Sequence, residues 1–225
     1  MSSASTPALL DNIASLPNPG PGEPLEPLRR PIQEDPRQRA WTCEAMSGRL
    51  VELSVWGGGA SLTSACRLLL EAQHTGQPVA WIATNESSFF PPDLARSGID
   101  LDALPVVRSP HARAAARAAD KLLRSGAFGL VVVDLIGKGP QAFIPTPLQS
   151  RLLGLARKHE TALLFLTEKR PEAPSLGSLI SLRAQARRKR TAENRFTCEV
   201  EIIKDKRRGP GWSHKEMHDG PAGLH

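Results

Sequence analysis

Tyrosine is absent from this chain of 225 residues, and only 4% of its residues are aromatic. Cysteine is scarce as well. Cys43, Cys66 and Cys198 are far apart and odd in number, which argues against a disulfide framework and against a zinc site. No unbroken apolar stretch reaches membrane-spanning length, and MSSASTPALL lacks the basic-then-apolar pattern of a signal peptide. The expectation is a soluble cytoplasmic protein that does not engage a membrane. Proline and glycine are plentiful, at 20 and 18 residues, but follow no period, so a collagen-like chain is excluded.

What the chain has is an uneven charge. From Ser181 to Arg208 there are ten basic and four acidic residues, so this segment alone accounts for the formal net charge of +6 and the remainder balances. Such asymmetry points to an anionic partner, most often nucleic acid, met by the C-terminal part.

Three regions follow. Residues 1–40 read as a flexible, proline-rich tether, with eight prolines between Pro7 and Pro36, and its PNPGPGEPLEPLRRP stretch can neither form a helix nor bury a core. Within it Leu9, Leu10, Ile13 and Leu16 recur at helical spacing. That piece reads as a frayed terminus or as a short helix that docks on a partner, being too short to hold by itself. Residues 41–208 form the compact domain, and residues 209–225 read as a mobile tail.

Inside the compact domain GRLVELSV alternates like a strand, a glycine run follows, and SLTSACRLLLEAQHTG repeats apolar residues at helical spacing up to Gly76. PVAWIA, FGLVVVD and TALLFLT read as buried strands, and helices are expected from His111 to Ser125 and from Leu148 to His159. This alternation predicts an α/β fold with a mostly parallel sheet and crossover helices. SLISLRAQARRKR and RFTCEVEIIKDK, separated by TAEN, predict a β-hairpin that extends the sheet antiparallel.

A strand, a glycine-rich turn and a helix are the context of phosphate-binding loops, where helix-terminal N–H groups meet phosphates. The loop here is Val55-Trp56-Gly57-Gly58-Gly59-Ala60-Ser61-Leu62. Set against glycine, four residues, glycine, lysine, then serine or threonine, it offers valine, alanine, serine and leucine. The missing lysine takes away the positive charge that would neutralise the outer phosphates, and Leu62 has no oxygen for magnesium. Thr63 is rotated about 100° around the helix. The loop is thus read as architectural, with no cofactor and no catalytic residue. Asp134, ending the VVVD strand, stands where such folds hold an aspartate that reaches toward magnesium, but it lacks a lysine and a hydroxyl to work with. Trp56 and Trp81 are expected in the core, or, for Trp56, in the space a nucleotide would fill.

In order and spacing, GRLVELSVWGGGASL, HTGQPVAWIATNE, SGAFGLVVVDL, TALLFLTE and the RFTCEVEIIKDK hairpin resemble the RecA recombinase core over roughly residues 48–208. The departures matter. Where that family places a catalytic glutamate this chain has Asn85, with Glu86 beside it, and the segments after Asp134 and after Glu168 are shorter where the family keeps its DNA-binding loops. A RecA-like core without these features resembles the ImuA group of SOS mutagenesis accessory proteins. The resemblance implies a non-enzymatic role in translesion synthesis, with an ImuB-type polymerase homologue and RecA as partners and self-association allowed.

The basic cluster Arg187, Arg188, Lys189 and Arg190, with Arg183 and Arg195 near it, lies on the hairpin. It reads as a site for nucleic acid or an acidic partner, or as a solvated edge that blocks strand-to-strand aggregation. Phe196 is the one aromatic ring nearby, which does not support tight single-strand binding. Two other functions stay in view: a DNA-dependent ATPase using Asp134 and Glu86, and a DNA-binding module built on the basic segment.

Overall fold

A computed structural model describes residues 41–57, 59–85, 87, 89–137, 142–192 and 195–219. Leu9, Leu10, Ile13 and Leu16 lie outside the described residues, as do Gly58, Glu86 and the centre of the TAEN turn. The elements run α1 (Cys43–Met46), β1 (Leu50–Val55), α2 (Ser61–His74), β2 (Val79–Thr84), α3 (Pro91–Arg96), β3 (Val106–Ser109), α4 (Ala112–Ser125) and β4 (Leu130–Asp134). They continue with α5 (Thr146–Lys158), β5 (Ala162–Glu168), β6 (Leu182–Ala192), β7 (Arg195–Asp205) and β8 (Ser213–Asp219).

All eight strands form one sheet in the order β3-β2-β4-β5-β1-β6-β7-β8. Strands β1 to β6 pair parallel, and β7 and β8 add on antiparallel. The mixed α/β architecture expected from the alternation of apolar runs is the one present.

Successive strand residues point to opposite faces, and both faces of the parallel part are covered. Val51, Leu53, Trp81, Val132 and Leu164 pack with Ala65, Leu68, Leu69 and Ala72 of α2. Leu50, Ile82, Val131, Val133 and Phe165 pack with Ala115, Ala116, Ala119 and Leu123 of α4 and Leu152 and Ala156 of α5. This two-sided burial is why β1, β2 and β4 are buried at every position, and why β2 and β4 read as near-continuous hydrophobic runs. Helix α4 starts where expected because the His111 ring accepts from the Ala114 amide (3.1 Å), and it stops at Gly126 in the left-handed conformation.

The tail reading needs correction. Ser213–Asp219 is not loose: it forms the edge strand β8, paired with β7 from Glu201↔Ser213 to Arg195↔Asp219. The chain turns back through Gly209 and Gly211, both at positive φ (80° and 95°). SHKEMHD escapes hydrophobic-pattern reading because its inner face is polar. Glu216 accepts from His214 (2.6 Å) and pairs with Arg67 of α2. Burial pushes the Glu216 carboxyl up, but the His214 hydrogen bond and Arg67 outweigh it and hold it below its ordinary value.

A second polar tie fixes the hairpin to the sheet. Arg49, just before β1, donates to Asp205 at the end of β7 (2.6 Å) and to the Ser181 carbonyl (2.9 Å), and both Arg49 and Asp205 are buried. Among the described residues no helix is long and apolar enough to cross a membrane.

Candidate functional site

The glycine loop between β1 and α2 sits at the carboxyl ends of the parallel strands, where open α/β sheets place ligands. Its glycines answer to the chain's own packing. Gly57 has φ +68°, and a Cβ on Gly59 would clash with Val55 Cγ2 and stand 3.3 Å from the Ala186 carbonyl of β6. Ala60 and Ser61 are buried, Leu62 packs against the α2-side core, and Thr63 is exposed away from it. Ala60 occupies the N-cap of α2 and makes no side-chain capping bond.

Asp134 ends β4 as expected and is fully buried. Its carboxylate accepts the Ser87 hydroxyl in a short hydrogen bond, and the Ile136 amide at 3.1 Å. Burial pushes its pKa up, against the pull of these two donors. A magnesium ligand needs the opposite, an ionised carboxylate with a free oxygen edge. RecA-type folds imply a nucleoside triphosphate with magnesium, and the residues here do not fit that pair. The aspartate is occupied by its own neighbours, and the positions for cation and hydroxyl hold a buried serine and a half-buried leucine. Ser87 was missed in the sequence because it sits in the short connection after β2, with no pattern to mark it.

Trp81 lies in the core, but Trp56 does not. Trp56 is 54% exposed and carries the Arg170 guanidinium 4.9 Å above its ring. Trp56 and Phe143 flank a groove of about 1190 Å³ whose other wall is the segment after β5, including Lys169, Pro174 and Leu176.

That segment, residues 169–180, is a pinned strap. Glu52, buried in the middle of β1, accepts from Lys169 Nζ (2.5 Å), the Thr167 hydroxyl (3.0 Å) and the Leu176 amide (2.8 Å). Gln149 of α5 donates to the Ile144 and Leu176 carbonyls (2.7 and 3.3 Å). A Cβ on Gly177 would clash with the Gln149 amide, so the strap lies directly on that side chain. A glutamate inside the otherwise apolar LVELSV was the available signal for such a network.

Arg183 completes the strap and does not join the basic surface expected of it. It is buried, and its guanidinium donates to the Arg170 carbonyl (3.0 Å) and to that of Ala173. Burial lowers its pKa from the usual arginine value. The strand pleat explains this: Arg183 points to the Glu52 and Ser54 side of β6, beneath the strap.

The other basic residues are exposed on the ribbon of β6 and β7 and are sorted by the same pleat. Arg187 pairs with Glu201 (3.2 Å) and Lys189 with Glu199 (3.0 Å), the latter shared with Lys215 of β8 (3.3 Å). Arg188 lies 5.0 Å over the Phe196 ring. Arg190 has no ion pair among the described residues, and Arg195 is exposed at the start of β7.

No protein-family model matches the chain. It is 33% identical over 129 residues to the RecA protein of Corynebacterium jeikeium, covering 53% of this chain and 34% of that protein. With the RecA protein of Fusobacterium nucleatum it shares 27% over 137 residues, covering 54% and 36%. With that of a Nocardioides species it shares 32% over 126 residues, covering 52% and 35%. The chain thus spans about a third of the length of the curated relatives it matches, and this partial similarity supports a RecA-like core.

Proposed function

We propose that this chain, whose core is RecA-like, is a non-catalytic accessory protein of SOS-induced translesion synthesis and mutagenesis that works by binding protein partners. The partners are an ImuB-type polymerase homologue and RecA. One observation carries the reading: Asp134 is buried and hydrogen-bonded to Ser87, and the loop offers Ser61 and Leu62 in place of a lysine and a metal-binding hydroxyl. The strap over β1 and β6 supports it further, since a segment held by Glu52, Gln149 and Arg183 is not free to order itself around a nucleic-acid strand. A fold that keeps its sheet and surrenders its nucleotide chemistry retains surfaces, and surfaces bind partners.

The test is co-expression of the tagged chain with each partner, followed by affinity purification. The reading predicts that the polymerase homologue or RecA co-purifies, and that Asp134→Ala leaves the recovered amount unchanged. Recovery of neither partner, or a complex that needs ATP and is lost in Asp134→Ala, contradicts it.

A further inference from the structure

The run Arg187-Arg188-Lys189-Arg190 looks continuous in sequence, but β6 deals its members alternately to two faces. On the face shared with Gln185, Arg187 and Lys189 are engaged by Glu201 and Glu199 across the ladder. On the α2 face are Arg188 and Arg190. Strand β1 ends at Val55, opposite Ala186, so these two arginines stand past the end of the parallel sheet, on a part of the ribbon that β1 does not flank.

We infer that Arg188 and Arg190 form a docking site for an extended acidic peptide segment of a protein partner, one with carboxylates at alternate residues. This rests on the partner-binding reading above and names the chemistry of one contact. Arginines two residues apart on a strand are about 6.6 Å apart, from a rise of about 3.3 Å per residue, and an extended peptide repeats its side chains at the same interval. Arg188 is exposed and its guanidinium carbon lies 5.0 Å over the Phe196 ring. A planar guanidinium presents its N–H groups as a fork that takes a carboxylate through two parallel hydrogen bonds.

Nucleic acid fits this face less well. Phe196 is the ring available for a base, and Arg188 covers it. The cations of the opposite face already have carboxylate partners, so a phosphate backbone following the ribbon meets two arginines where polyanion binding draws on many.

The experiment uses the full chain and fluorescence anisotropy of a labelled ten-residue peptide of alternating glutamate and threonine, at low salt. Its controls are the same peptide with glutamine for glutamate and a labelled oligothymidylate of equal length. The glutamate peptide is expected to bind and the glutamine peptide not to. The Arg188→Gln/Arg190→Gln variant is expected to weaken binding roughly tenfold or more, as loss of charge-assisted hydrogen bonds does. Arg187→Gln/Lys189→Gln should change it by no more than about twofold, the scale of exposed ion pairs. Equal binding of the glutamine peptide, equal loss in both variants, or tighter binding of the oligothymidylate would overturn the inference. Co-purification of the Arg188→Gln/Arg190→Gln variant separates the two claims. Partner recovery without peptide binding removes this site and keeps the scaffold, whereas peptide binding without any partner does the reverse.

Discussion

Asp134 shows how one side chain can keep its place in a fold and change its task. Its position at the end of an apolar strand was legible, because parallel strands announce themselves as unbroken hydrophobic runs. Its environment was not, since Ser87 arrives from a connection without pattern. With the folded-state pKa raised above the unfolded value, the stabilising contribution is full below about pH 3.9, the unfolded value, and is lost as pH rises through the folded one. Asp134→Asn removes that dependence. Thermal unfolding between pH 4 and 7.5 should therefore show the variant gaining on the parent as pH rises, by roughly 2–4 °C at neutral pH if the gain is on the order of 1 kcal/mol. A variant that is less stable at every pH contradicts the buried-carboxylate account.

At the scale of elements, the ties between β1, the strap and the hairpin are polar and long-range, which is why sequence periodicity did not reveal them. The short α1, α3 and β3 were not anticipated, whereas helices α2, α4 and α5 and the buried strands came through within a few residues of their observed ends. β8 did not, because its inward residues are His214, Glu216 and His218, and neither did the inward turn of Arg183. The Arg49–Asp205 pair is the tie whose removal is easiest to read. Burial pushes the Asp205 carboxyl up, but the Arg207 amide and Arg49 outweigh it and hold the pKa below its usual value. The contribution is therefore present above about pH 3.9 and lost as pH falls through the lowered folded value. Asp205→Asn leaves the Arg49 charge buried without a counterion, at a cost of about 3–5 kcal/mol. Urea titration at pH 7 should show that loss, and the gap to the parent should shrink in acid. A loss under about 1 kcal/mol, the range of exposed pairs, would mean that the pair does not hold the hairpin.

Across the described residues the chain is a mixed α/β fold whose mostly parallel sheet is covered on both faces, and the apolar pattern was sufficient to predict that architecture. What the pattern could not convey is how the carboxyl end of the sheet is arranged: a tryptophan turned outward beside a groove, a strap laid over buried acid and base, and an aspartate hydrogen-bonded to a serine. The central claim is that this end grips no triphosphate. Isothermal titration of the purified chain with ATP and magnesium measures it most directly. The account predicts no saturable heat up to millimolar ATP, with parent and Asp134→Ala indistinguishable, whereas a micromolar dissociation constant that Asp134→Ala abolishes would contradict it.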